Sequence, residues 1–135
     1  MTVIVTDAGF AADDWTQGFA TPDTLGPGAR GLDLAGHADP APLAGRLAGL
    51  GLIRVIFPAF ADGRGLTLGR RLRRMGYAGR LRAAGPLIAD QYAMLRRLGF
   101  DEVEIPDDLA ARQPWPQWAA RADWRAHDHQ SRLRA

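Results

Sequence analysis

The residues best suited to chemistry fall in a short run, Asp62-Gly63-Arg64-Gly65, and in a second group, Gly85, Asp90 and Gln91. Glycines let a backbone approach a ligand closely, and a forked guanidinium matches an oxyanion or a phosphate. Each group opens a segment with helical spacing, so two helix N-termini add free N–H groups. Together they describe a corner for a small anion. The competing arrangement is an internal clamp, in which Asp62 or Asp90 pairs with Arg64 or Arg82 and only fixes the loops. A third is an acid–base pair of Asp62 and Asp90, which requires shifted pKa values. The pattern is not the dinucleotide fingerprint G-x-G-x-x-G, and a P-loop lysine is missing.

The elements around these residues must bring both groups to one place. Leu52 to Phe57 is a nearly continuous apolar run, as in a parallel strand covered on both faces. Leu68, Leu72 and Met75 then give a helical stripe, with Arg70, Arg71, Arg73 and Arg74 in the other directions. Arg80 to Ala84 reads as the next strand. Gly85-Pro86 opens a helix with Ile88, Tyr92, Leu95 and Leu98 inward and Gly99 as its stop. Asp101 to Ile105 alternates polar and apolar, like an edge or final strand. Upstream, Asp39-Pro40 begins a helix with Leu43, Leu47 and Leu50 on one face. Loops leaving consecutive parallel strands exit at the same rim, where open α/β sheets place their sites.

Helix and strand alternate from residue 39, which predicts an α/β fold: a small, mostly parallel sheet with flanking helices. Flavodoxin-like layering and a partial β/α barrel both fit. Thr2 to Thr6 adds a short strand, and residues 30–34 a second. Residues 7–29 read as a long loop, packed through Trp15 and Phe19 or serving as an arm onto a partner. The predicted domain spans residues 1–106. Residues 107–135 form a tryptophan-rich tail, with a helix over about 116–126, packing on the domain or on another chain.

Composition narrows the functions. The chain has no cysteine, which removes disulfides, zinc ribbons and iron–sulfur ligation within it. All 17 basic residues are arginine, yet the net charge is only +2. With no aromatic interleaving, the arginines of residues 66–75 read as a solvated face and not a nucleic-acid surface. Charge is nevertheless polarised: seven arginines and no acid from Arg64 to Arg82, five acids and no base from Asp101 to Asp108. The lone serine, Ser131, leaves no nucleophilic triad. His127 and His129 are too few to define a metal site. No apolar run approaches the roughly 20 residues of a membrane span, and the start lacks a signal-peptide pattern. A cytoplasmic protein is expected.

The run Phe57 to Gly65, then Leu72-Arg73, then Gly76-Tyr77-Ala78-Gly79-Arg80-Leu81-Arg82-Ala83, then Asp90-Gln91, then Leu95 to Asp101, resembles one bacterial family, the domain of unknown function 934 family. The resemblance covers roughly residues 50–105. It implies an association with assimilatory sulfite reduction, as an oxidoreductase or an accessory protein. The signature positions it carries over are Asp62, Gly63, Arg64, Gly65, Arg82, Asp90 and Gln91. Gly69 stands where the family tends to have alanine, and Arg80 where it tends to have glutamate. The expected function is an accessory protein that binds an oxyanion or a redox partner such as the sulfite-reducing enzyme. The alternatives are a small enzyme acting on a phosphorylated or sulfur-oxyanion metabolite, and a module that forms homo-oligomers through its tail.

Overall fold

The computed structural model describes residues 1–59 and 62–127. Six strands form one sheet: β1 (Thr2–Thr6), β2 (Gly9–Ala11), β3 (Gly31–Ala35), β4 (Leu52–Ile56), β5 (Arg80–Ala84) and β6 (Glu102–Pro106). Their order is β2-β1-β6-β5-β4-β3. β3 to β6 are parallel neighbours, β1 lies antiparallel against β6, and β2 folds back on β1. The mostly parallel sheet is the predicted one. Every parallel crossover steps in the same direction, so right-handed connections all land on one face. That is the layout of an unclosed barrel segment. A flavodoxin-like sheet reverses its strand order and has helices on both faces.

Alternation along the strands divides the two faces. Leu32, Leu34, Ile53, Val55, Leu81, Ala83, Val103 and Ile105 point to the helical side and join one core. α1 (Gly63–Arg74) covers them with Leu68 and Leu72, as predicted, but begins three residues earlier than the stripe suggests. The reason is the side chain of Asp62, which accepts the Arg64 backbone N–H and caps the first turn. The helix predicted from Asp39 is instead two short 3-10 turns, Ala41–Leu43 and Leu47–Gly49. Pro42 lacks an N–H, and Gly45 and Gly49 weaken any continuous helix. Leu43, Leu47 and Leu50 are still buried. The helix predicted from Gly85 starts late: a 3-10 turn, Ala89–Gln91, leads into α2 (Tyr92–Arg97). Two short elements that composition does not betray are β2 and α3 (Asp107–Arg112).

The long N-terminal loop packs on the non-helical face. Ala20 hydrogen-bonds along β3, with its N–H to Gly31 O at 2.9 Å and its O accepting from Asp33 N at 2.8 Å, which covers part of that edge. The Arg54 guanidinium lies over the Phe19 ring at 3.8 Å.

The tail folds back too. α4 (Trp115–Ala122) buries Trp118 completely, and its indole N–H donates to Gln113 O at 2.8 Å. Trp118 meets Tyr92 and Phe10 edge-on at 6.0 and 6.4 Å, and Trp115 meets Phe10 at 5.9 Å. A last 3-10 turn, Trp124–His127, lies beside α2. Asp7, in the β1–β2 turn, ties these parts together. It accepts from the Tyr92 hydroxyl, from Arg96 Nε and Nη2 at 3.2 Å, and from Trp124 Nε1 at 3.2 Å. No helix among the described residues is long and apolar enough to cross a membrane.

Candidate functional site

The loops after β4 and β5 leave the sheet at the same rim, because the two strands are parallel and adjacent. They touch directly. Gly85 has φ +143° and its α-carbon faces the Phe57 carbonyl, where a Cβ would lie 2.1 Å from the oxygen. Only glycine fits both the conformation and the space. The loop after β3 joins them, since Gly36 packs on the first turn of α1, 3.1 Å from Gly65 N to an added Cβ. Gly65 in turn leaves room for the Phe57 ring, 2.5 Å from an added Cβ.

Asp62, Gly63, Arg64 and Gly65 therefore form the tight entry into α1. Asp62 accepts the Arg64 backbone N–H at 3.0 Å, and the Arg64 side chain folds back onto it, Nε to Oδ1 at 3.2 Å and Nη2 to Oδ2 at 3.3 Å. Hydrogen bonds from the Arg64 guanidinium, then from its backbone N–H, hold the Asp62 carboxyl below its ordinary range. The Arg64 side chain is still 67% exposed. Asp90 and Gln91 lie in the turn beyond Gly85. Gln91 Oε1 accepts the Ile88 N–H at 3.1 Å, and Asp90 pairs with Arg121 of α4 at 2.5 Å. The structure thus brings Asp62, Gly63, Arg64, Gly65 and Gly85 to one corner. It ties Asp90 to the C-terminal helix.

Arg82 is elsewhere. It points from the middle of β5 to the non-helical face and is fully buried. In register, Asp33, Arg54, Arg82 and Glu102 lie side by side on four parallel strands. Arg82 Nε donates to Glu102 at 2.6 Å, Nη1 to Glu104 at 2.8 Å, and both Nη atoms to Asp13 at 3.1 Å. Arg54 holds Asp33 through two bonds of 2.7 and 2.8 Å and reaches Glu104 at 3.2 Å. Arg80 bonds Glu102 at 2.9 Å and Asp14 at 2.8 Å. Burial alone disfavours a charged Arg82. Its hydrogen bonds to Asp13 and Glu102 outweigh that and raise its pKa. Arg-x-Arg on β5 facing Glu-x-Glu on β6 was visible in the sequence, but its meaning needed the register.

One open space at the rim lies past Gly85 against Pro86, Ile88 and Gln113, and another borders Arg64. A cavity of about 260 Å³ is bounded by the Gly36-His37-Ala38 loop and by Arg64, Thr67 and Arg71 of α1. Arg71 contacts Asp39 at 3.6 Å with half its side chain exposed. Sequence reasoning missed His37 and Arg71 here. The signal was present: Gly36-His37 directly follows a strand end, and Arg71 is seven residues from Arg64 on a helix. Arg71 also borders a second, adjoining hollow of about 470 Å³, lined by Ala41, Ala44, Arg74 and Met75. Among the described residues, no group of three or more His, Cys, Asp or Glu side chains is placed to hold a metal ion. Of the two tail histidines, His129 lies outside the described residues.

Compared with known proteins, the chain matches over residues 31–131 the model of a bacterial protein family of unknown function, DUF934. No curated protein and no solved structure matches it.

Proposed function

The chain belongs to the DUF934 family, and from that membership and the rim geometry we propose an accessory protein of assimilatory sulfite reduction that binds a small oxyanion. One observation carries the reading: the cavity where Arg64, Arg71, Thr67 and His37 converge beside the first turn of α1. A helix N-terminus favours negative charge, and α1 is twelve residues long. Asp62 and Asp39 already face the two arginines. The Arg71–Asp39 pair is exposed on both sides, and in the Arg64–Asp62 pair the arginine is the exposed partner, so solvent screens both. A bound oxyanion can therefore share either arginine without a large loss. Arg64 has further N–H donors beyond the two that Asp62 takes.

The accessory reading fits better than turnover at the corner. Arg64 keeps Asp62 ionised, and Asp90 is engaged by Arg121. A carboxyl held ionised in this way is not poised to trade a proton near neutral pH, which argues against Asp62 as an acid–base group.

Titration with sulfite, sulfate and phosphate, followed by thermal unfolding, tests the binding. A native-state ligand stabilises by about 2.7 kcal/mol at a hundredfold excess over its dissociation constant. Sulfite should raise the melting temperature in a saturable way, and Arg64→Ala and Arg71→Ala should each abolish the rise while leaving the fold intact. Native pull-down should recover the sulfite-reducing enzyme. No shift with any of the three anions removes the oxyanion site, and no recovery of that enzyme removes the pathway.

A further inference from the structure

We propose that the groove beside α1 is a docking channel for an acidic segment of a partner protein, with one apolar side chain of that segment seated between Ala41, Ala44 and Met75. Arg64, Thr67, Arg71 and Arg74 recur at spacings of three and four and so share one face of α1. Two adjoining hollows lie along that face, with Arg71 bordering both. From Arg64 to Arg74 the groove runs about 15 Å at 1.5 Å per residue. An extended strand of four or five residues covers that length.

Charge identifies the occupant. Arg54, Arg80 and Arg82 on the sheet, Arg96 on α2, Arg121 on α4 and Arg73 of α1 all bond acids, and in the groove Arg64 and Arg71 hold Asp62 and Asp39 only through their own exposed side chains. Among the described residues Arg74 has no ion-pair or side-chain hydrogen-bond partner, and it stands at the apolar end of the groove. α1 carries no acid at all. A cationic rim around a floor of two alanines and a methionine matches carboxylates flanking an aliphatic residue. A second copy of this chain is poorly suited. Its acids free of ion pairs among the described residues, Asp23, Asp107 and Asp123, sit on three separate elements. Nucleic acid is also disfavoured, because the groove has no aromatic ring for a base to stack on.

The probe is a fluorescein-labelled ten-residue peptide rich in Asp and Glu around a single leucine, read by anisotropy against the full chain. Binding should be saturable and weaken as salt rises. Replacing the leucine by serine should weaken it at least tenfold. Arg74→Glu should do the same, and so should Ala44→Gln, which fills the floor without changing charge. Both positions are exposed, so each variant should keep the wild-type melting temperature. Three outcomes overturn the proposal: the serine peptide binds equally well, both variants bind normally, or a single-stranded oligonucleotide of equal charge competes as strongly as unlabelled peptide. The oxyanion reading fails separately. Arg74→Glu should leave the sulfite response of Arg64 intact, and a missing sulfite response leaves the peptide result standing.

Discussion

Two regions of this molecule use the same residue in opposite ways. On the non-helical face of the sheet, Arg82 is fully buried and its guanidinium is divided among Glu102, Glu104 and Asp13. On the outer face of α1, Arg70 and Arg74 are exposed and make no ion pair among the described residues. The first set spends its hydrogen-bonding capacity inside the fold, and little is left for a ligand. The second set costs the fold nothing and keeps its capacity for whatever arrives. In an arginine-rich chain, saturation separates a structural cation from a binding one more sharply than charge does.

The largest effect should come from breaking the saturated set. Arg82→Met removes the cation that three carboxylates share. Removing one partner of a buried ionic cluster costs up to about 3–5 kcal/mol, and here Glu102 and Glu104 stay buried with only Arg80 and Arg54 left to compensate them. Urea unfolding should show that loss. The double variant Arg82→Met/Glu102→Gln should recover part of it, since it removes one negative charge from a cluster left with an excess of acids, although Arg80 then loses part of its own pairing. Equal stability of Arg82→Met and wild type would mean that the cluster is ornamental and would erase the contrast with α1.

Much of the fold was legible before any coordinates, and the reasons are local. β4 announces itself by a short apolar run and β5 by its place between glycine signals, whereas the alternation of β6 suggests an edge or final strand and the structure sets it between β1 and β5 with Glu102 and Glu104 buried. α1 announces itself through Leu68 and Leu72 behind an Asp cap. The Asp62–Gly65 entry was legible for the same reason, since capping and close approach are read within a few residues. Arg82 was placed with the wrong neighbours. It lies in sequence near Gly85 and Asp90, but strand alternation sends it to the opposite face. Its real partners come from β6 and from Asp13, 69 residues away. The tail tryptophans were equally ambiguous, because exposure depends on Phe10 and Tyr92, which belong to distant elements. Local patterns do not encode which distant surfaces meet.

A smaller effect concerns acid. Asp7 and Asp13 have lowered pKa values: burial raises each, but hydrogen bonds from Tyr92, Arg96 and Trp124 to the first, and from Arg82 to the second, win. A carboxyl whose folded pKa lies below its unfolded value binds fewer protons when folded. Its contribution is complete above the ordinary value of 3.8 and is lost as pH falls through the folded pKa. Stability should therefore be flat from pH 7 to about 5 with respect to these groups and fall steeply below 3.8. Asp7→Asn should flatten that acid limb and cost about 1–3 kcal/mol at pH 7, the range for leaving hydrogen-bonded partners unsatisfied. Denaturant titrations at pH 7, 5 and 3 read both. An acid limb unchanged by Asp7→Asn would show that this carboxylate does not hold the tail in place.

The smallest effect is the one that sharpens the comparison most. Arg70→Ala and Arg74→Ala touch exposed side chains without ion-pair partners among the described residues. Surface changes of this kind stay within about 0.5 kcal/mol. The sign should lean toward stabilisation for Arg70, whose near neighbours on α1 are other arginines that repel it. Near the helix C-terminus that repulsion is offset, because Arg71, Arg73 and Arg74 lie where the dipole favours cations. Arg74→Ala should thus be neutral or slightly destabilising while weakening the acidic peptide. Unfolding and peptide binding measured on the same preparations separate the two roles. A loss of more than 1 kcal/mol at Arg74 would place it with Arg82 among the cations that hold the fold.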